Sequence, residues 1–577
     1  MAKPKSRKSP QSDASANFRE RLLASLDPSR KSGGLSAKSA TIFLTVILLI
    51  LLIAFLKRPF HIDDPLFIWT ARHIQTQPDN PYGFAVNWYG VSMPISEVAK
   101  NPPLASYYIA LMALFLGWGE PALHLVFILA AVAVAIGTYL IADRFCAHPL
   151  LATLACVLTP VFFVSSLTVM SDVLMLAFWV FAVYFWMKGI DDSRHSALLI
   201  SALLIAISSI TKYFAMTLIP LLLVYTISRK RTVGWWLLYL VIPIAILGWY
   251  QWTTQHLYGR GLLLDAAAYA TESKSEFAKF PISKSYVAFV FTGGCTATVL
   301  FLCRQLWSRA ALICGLLFAI GAAVLFVSTS AIGSFSLPAD KATHVLLALQ
   351  LSLWGTAGIS LIILAALDLY RQRDSDSLFL FTWIVGTFLF AGFINWTTNG
   401  RSVLPITIPA GIVMARRLEF TAQPRRSRIL APIIGPLAAA LVLSFAVAWA
   451  DTAFAETAKT AATRIHDSYA KQQKVWFQGH WGFQYYMEQM GAKPVDLKEF
   501  RPAVGDVVAV PTTNTNLYEM PASTPLRETF EISSTRWLST MNYPLGAGFY
   551  ADAFGPLPFV IGPVSPERFA IFDIKAP

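Results

Sequence analysis

The strongest constraint on this chain is a recurrence. Apolar runs of bilayer-crossing length follow one another, separated mostly by loops too short to be domains. A stretch of about 20 apolar residues crosses the hydrocarbon core, whereas one of about 10–14 more often lies at an interface. The runs at 41–57, 121–142, 149–168, 172–188, 196–211, 213–228, 233–251, 285–303, 310–330, 344–368, 377–394, 402–415 and 430–450 meet or approach the first description. They predict a polytopic α-helical membrane protein with about 13 transmembrane helices. Only 14% of the 577 residues are charged, against roughly 25% in an ordinary soluble chain. The net charge of +13 does not indicate nucleic acid, because the basic residues lie in short loops between apolar runs, where they set orientation.

One segment decides that orientation. Leu104–Trp118, "LASYYIALMALFLGW", is apolar but short. If it lies along the interface, the basic clusters all fall on one side: Arg144, Lys188 with Arg194, Arg229–Arg231, Arg304 with Arg309, Arg371 with Arg373, and "ARRLEFTAQPRRSR". That side is then cytoplasmic. Residues 1–40 read as a disordered basic cytoplasmic arm. Thr41–Leu56 runs into "LKRPF" without a small-residue cleavage site, as an uncleaved anchor does. The membrane domain covers 41–450, with a first outer loop at 58–120, a second at 252–284, and short outer loops at Asp340 and Asn395. After Ala450 the composition turns to Gly, Pro and charge. "KVWFQGH" and "GDVVAVPT" read as strands, Gly482 to Met490 as a helix, and "RFAIFDI" as a last strand. Residues 451–577 thus read as a small extracytoplasmic α/β domain. The five cysteines lie in or beside apolar segments, so no disulfide framework is visible, and neither zinc-ligand spacing nor a Gly-rich phosphate loop occurs.

On this topology ionisable residues gather at one membrane surface. Asp63 and Asp64 follow the first span, Glu97 and Lys100 precede Pro102-Pro103, and Asp172 opens a span. Lys212 sits between two spans, Arg260 lies in the second outer loop, and Arg401 opens a late span. Each has a plain reading alone. Loop acids can be solvated, Asp172 can cap a helix, Lys212 can snorkel to the headgroups, and Arg260 and Arg401 can touch lipid phosphates. His480 and Trp481 in "GHWGF" read as packing or turn residues, and Asn395-Trp396-Thr397 is a weak glycosylation sequon. Together they suit one chemistry. A carboxylate acts as general base for a hydroxyl or amine, and Lys and Arg hold a phosphate leaving group. Sugar transfer from a polyprenyl-phosphate donor needs both at a bilayer surface.

The first loop, "HIDDPLFIWTARHI" followed by "KNPPLASYYIALMALFLGWGEPALH", resembles that of the GT-C superfamily of membrane glycosyltransferases. It is similar in particular to the protein O-mannosyltransferase and lipid A aminoarabinose transferase group, glycosyltransferase family 39-like. That group shows an acidic pair after the first span, a K-P-P-L-type element before an interfacial helix, an Asp opening a later span, and a "T-K" element. Here these are Asp63-Asp64, Lys100 to Leu104, Asp172 and Thr211-Lys212. "GRSVLPITIPAGIVMARRLE" resembles the late R-Y-x-L-P element through Arg401 and Pro405. The pair is Asp-Asp rather than Asp-Glu, Asn101 interrupts the Lys-Pro step, and Ser402 replaces an aromatic. The tail resembles outer domains of some bacterial members.

The resemblance implies a GT-C-like fold and sugar transfer with inversion, in a single displacement, at the outer face of the cytoplasmic membrane of a cell envelope. The partners would be a polyprenyl-phosphate sugar donor, membrane lipids, and a lipid, glycan or protein acceptor, without nucleic acid. Asp63 would take the acceptor's proton. Asp64 would orient the acceptor or bind a divalent cation, with Asp172 in the same cavity and Glu97 on the acceptor side. Lys100, Lys212, Arg260 and Arg401 would hold the donor phosphate. Two other functions fit the composition: a transporter or lipid flippase, and a non-catalytic envelope scaffold of the same fold. The topology is directly testable. Reporter fusions after Glu120 should read outside and those after Arg231 inside; a cytoplasmic signal after Glu120 overturns the outer-face assignment.

Overall fold

A computed structural model describes residues 10–29, 33–272, 276–421 and 431–575. Among them seven helices are long and apolar enough to span a bilayer: Glu120–Phe145, Ser171–Asp191, Leu237–Tyr258, Arg309–Thr329, Lys341–Gln372, Ser375–Ile394 and Pro432–Ala470. An eighth span is made if the bent pair Pro149–Val157 and Pro160–Ser166, which turn 69° to each other, counts as one. Ala37–Ile53 and His195–Thr211 are shorter apolar helices of 17 residues each, and some of the remaining apolar runs are broken. Pro160 has no N–H to continue the preceding helix. The run at 285–303 is cut at Thr296, and the run at 402–415 is cut into Gly400–Val403, a short turn, and Thr407–Thr421.

The spans differ in how much of their surface other helices take. Glu120–Phe145 and Ser171–Asp191 are packed nearly all round. Arg309–Thr329 buries only Ala323 and Phe326 and presents Leu316, Leu317 and Val324 outward. An apolar face that finds no protein partner is stable in lipid. Leu104–Leu116 is 13 residues long, about 20 Å at 1.5 Å per residue, and too short for a hydrocarbon core of about 30 Å. It packs along Asp64–Thr76 and leaves Leu114 and Phe115 exposed. In the loop at 252–284, Leu262–Glu272 is helical. The 1–40 arm needs correction: Pro10–Leu26 is a helix, packed against Pro149–Val157, with Ala24, Leu26 and Asp27 buried. Residues 1–9 and 30–32 of that arm lie outside the described residues.

The chain after the last span forms a five-stranded sheet in the order Lys493–Pro494, Val475–Phe477, Val507–Pro511, Glu567–Asp573, Leu526–Ile532. Val475–Phe477 is parallel to both its neighbours, and the remaining pairs are antiparallel. The helix Trp481–Gln489 follows the first strand, close to where the sequence placed it. This part is bound closely to the membrane part. The Gly400 N–H donates to the Phe549 carbonyl at 2.7 Å, and the Asp552 N–H to the Thr398 carbonyl at 2.9 Å.

A buried ion pair fixes the junction. Arg58, 1% exposed, places Nη2 2.7 Å from Oδ2 of Asp451 in the last spanning helix. Its Nη1 donates to the Leu167 carbonyl at 2.7 Å. The hydroxyls of Tyr550 and Thr540 donate to the two Asp451 oxygens at 2.9 and 2.6 Å. Removing one partner of a buried pair leaves an uncompensated charge, at a cost of about 3–5 kcal/mol. Arg58→Ala and Asp451→Ala should each lose about that much stability in thermal unfolding of the detergent-purified protein. Arg58→Met with Asp451→Leu should lose less than either alone; equal or larger losses would show that the pair is not the element that matters.

Candidate active site

Asp63 and Asp64 are adjacent in sequence and point to different worlds. Ile62 precedes them with φ +48°, a left-handed conformation that a β-branched residue adopts only under strain. After that turn Asp64 opens the helix Asp64–Thr76 and is wholly buried. Its two carboxylate oxygens accept the backbone N–H groups of His61 and Val169, each at 2.8 Å. Burial pushes its carboxyl up to about 7, against the pull of Arg58 and those two amides. Asp63 occupies the N-cap position without capping the helix. Its carboxylate turns to Arg401, with Oδ2 3.1 Å from Nη2.

Arg401 begins a second row of charges. Its Nη1 lies 3.9 Å from Oδ2 of Asp172, and Asp172 is ion-paired in turn with the Lys212 ammonium. Asp172 is not a helix cap, since Met170 holds that position; its side chain reaches sideways to Lys212. The ammonium of Lys212, which follows directly on His195–Thr211, is therefore committed to a carboxylate and not to headgroups. The result is a line of alternating charge, Lys212–Asp172–Arg401–Asp63. Side-chain exposure along it is 17%, 1%, 14% and 31%. Asp63 is the open end.

A second cluster joins the loops at 58–120 and 252–284. Lys100 pairs with Asp265 at 2.6 Å and stands 5.4 Å from the Tyr269 ring centre. Arg260 lies 3.4 Å from Asp265 and 3.6 Å from Glu97. Between the clusters is a cavity of about 380 Å³ that Asp63, Lys100 and Arg401 line together, within the ~300–1,000 Å³ of small-molecule sites. Asp172 and Lys212 stand behind Arg401 without lining it. Glu97 and Arg260 pair with each other outside the lining, and Asp64 is turned away. The expectation that Asp64 touches an acceptor or a cation therefore gives way to a structural one: it ties the first loop to Val169. Asp64 and Asp172 do not suit a divalent cation, since the first is held by two amides and the second stands between the charges of Lys212 and Arg401. Among the described residues no three His, Cys, Asp or Glu side chains converge on such a site.

The opposite wall comes from the far end of the chain. His480, Trp481, Tyr550 and Phe554 line the same cavity, and Arg401 lies 5.4 Å from the Tyr550 ring centre. His480 and Trp481 had read as packing or turn residues; they pack, His480 against Trp88 with ring centres 4.6 Å apart, and they also face the cavity. Nothing local in "GHWGF" announces this. Tyr550, Asp265 and Tyr269 are likewise invisible in the sequence, because their roles depend on Arg401 and Lys100, more than a hundred residues away.

Residues 100–252 match the sequence model of the family described as dolichyl-phosphate-mannose-protein mannosyltransferase. The chain resembles a GT-C membrane glycosyltransferase. The matched stretch holds Lys100, Asp172 and Lys212, three of the residues just described. Among solved structures, ArnT from Cupriavidus metallidurans bound to undecaprenyl phosphate is 13% identical, with 83% of this chain and 94% of that one covered, at a TM-score of 0.41. The oligosaccharyltransferase AglB from Archaeoglobus fulgidus, in complex with an inhibitory peptide and a dolichol-phosphate, is 13% identical over 82% and 69% of the two chains, at 0.46. The Saccharomyces cerevisiae Pmt1-Pmt2 complex is 15% identical over 43% and 34%, at 0.27. No curated protein matches the sequence.

The different environments of the two acids give a contrast in stability. Asp63→Asn weakens a partly exposed ion pair and should change stability by about 1 kcal/mol or less. Asp64→Asn sets an amide N–H against one of two buried backbone donors and should cost about 1–3 kcal/mol. Denaturation of the two purified variants side by side checks this; equal losses would overturn the division of roles.

Proposed function

We propose that this chain is a membrane glycosyltransferase, moving a sugar from a polyprenyl-phosphate-linked donor to an acceptor at the outer face of the cytoplasmic membrane. The observation that carries the reading is the shared cavity: a half-exposed carboxylate, Asp63, and two cations, Arg401 and Lys100, border one space beside the spanning helices. The family match over residues 100–252 supports the same class of reaction.

The chemistry follows from those groups. The acceptor's hydroxyl or amine enters above Asp63, and its oxygen or nitrogen attacks the anomeric carbon of the donor sugar. As that bond forms, the bond from the anomeric carbon to the phosphate oxygen breaks, and Asp63 takes the acceptor's proton. Departure opposite to attack inverts the anomeric centre. Lipid phosphate is already a good leaving group, so a second opposed carboxylate of the kind hydrolases use is not needed. Arg401 and Lys100 hold the phosphate as its charge grows, by contacts of roughly twice neutral strength. The Asp172–Lys212 pair behind Arg401 keeps the guanidinium aimed forward. A transporter site would sit near the bilayer midplane at paired broken helices; here Asp172, Lys212 and Arg401 all stand at helix ends.

Asp63→Asn keeps the shape of the side chain but cannot take a proton. Turnover in a purified assay with a polyprenyl-phosphate sugar should fall by ~10²–10⁴, with donor binding retained. Turnover at the native rate ends the assignment of Asp63 as base. Arg401→Ala should instead weaken donor binding by about 1.5–3 kcal/mol, the value of a charge-assisted hydrogen bond, and unchanged donor affinity would remove Arg401 from the phosphate site.

A further inference from the structure

Behind one wall of this cavity lies a second, of about 360 Å³, built wholly from residues at or beyond Phe454. Trp481, Met541 and Phe554 line both. The two differ in charge. The first carries Asp63, Lys100 and Arg401, whereas no Lys, Arg or His lines the second among the described residues. It therefore lacks the groups that hold a phosphate. It offers instead the aromatic rings of Trp481, Phe554 and Tyr543, with the amide of Asn542, the hydroxyl of Ser565 and the carboxyl of Glu567 among them. Glu567 is 5% exposed and is engaged on one oxygen by the Thr513 hydroxyl.

Flat apolar faces interleaved with an amide, a hydroxyl and one carboxyl suit a ligand that is itself two-faced. A sugar ring is such a ligand, with C–H groups on its faces and hydroxyls around its rim. Two further observations mark the shared wall. Trp481 is held at φ +66°, an outlier for a bulky residue, and strain of that kind collects at ligand clamps. Past Glu567 a space of about 30 Å³ reaches His61, whose two ring nitrogens have no hydrogen-bond partner although the residue is 3% exposed. A water needs ~10–15 Å³, so one fits between the second cavity and the residue two positions before Asp63.

We propose that the second cavity is an acceptor subsite for a neutral saccharide residue, neighbouring the residue that receives the transferred sugar. This rests on the glycosyltransferase reading above and narrows its acceptor to one that carries a glycan. The test is calorimetric titration of the full-length, detergent-purified protein, without donor, with maltose, cellobiose and N,N′-diacetylchitobiose, and with inorganic phosphate as a control. Tyr543→Ala removes a ring that is 63% exposed, and Ser565→Trp fills the opening from a likewise exposed position; neither disturbs a packed core. At least one disaccharide should bind the wild type and Asp63→Asn alike, and both opening variants should weaken it by about tenfold or more with an unchanged melting temperature. Phosphate should not compete with it. Absence of binding by all three sugars at millimolar concentration, or binding unaffected by both variants, overturns the subsite. The titration requires no transfer, so the two failures separate. Normal turnover by Asp63→Asn would remove the base while sugar binding stood, and a silent titration beside an inactive Asp63→Asn would remove only the subsite.

Discussion

The Arg58–Asp451 pair is the contact on which the rest of the structure hangs. It joins residues 393 positions apart, one at the exit of the first apolar helix and one in the helix that closes the membrane part. Taking two charges out of water is expensive, and the attraction between them offsets that only when their remaining hydrogen-bonding capacity is filled. Here the Leu167 carbonyl and the hydroxyls of Tyr550 and Thr540 fill most of it, while Arg58 Nε has no hydrogen-bond partner. The pair thereby ties four segments at one point: the start of the first loop, the end of the bent helix pair, the last span, and the connection between the strands Leu526–Ile532 and Glu567–Asp573. Tyr550 carries the tie into the site, because its hydroxyl bonds Asp451 while its ring stands beside Arg401.

The charged row of the site obeys the same rule. Lys212, Asp172, Arg401 and Asp63 alternate in sign, so each buried charge has an opposite neighbour and no member is left to bear its desolvation alone. A row of this kind ends where water begins. Asp63 is that end, and its partial exposure leaves a carboxylate able to meet a substrate. The turn that aims it is strained at Ile62, an arrangement that surrounding structure must over-determine; Asp64 does so by gripping the His61 and Val169 amides from the buried side. The two adjacent acids therefore do not repel across one site. One holds the loop, and the other is held out by it.

The part of the chain after Ala450 is a wall as much as a domain. Its aromatic residues close the cavity opposite Asp63 and Lys100, and a second buried pair, Lys284 with Asp552 at 2.6 Å, seats it on the bundle. Asp552 also accepts the Thr397 hydroxyl at 2.5 Å and the Thr398 N–H at 3.1 Å, just before the segment that carries Arg401. The helix–strand part and the membrane part are thus positioned by the same few polar contacts that position the charged groups.

The chain read in one dimension establishes the class of protein, because apolar run length against bilayer thickness is a local quantity. It also picked out Asp63, Lys100, Asp172, Lys212 and Arg401, since charges at the ends of apolar runs are costly and stand out. Hydropathy does not register the breaks at Thr159-Pro160 or Thr296, so it does not tell a straight helix from a bent one. The tertiary arrangement alone shows which of the neighbouring acids is open. A side chain's direction there depends on one left-handed residue and on the Val169 amide, 105 positions away. It alone turned Lys212 from a free cation into Asp172's partner, and it alone brought His480, Trp481 and Tyr550 to the cavity. Those roles are distances between segments far apart in the chain, and a distance of that kind has no signature in either segment.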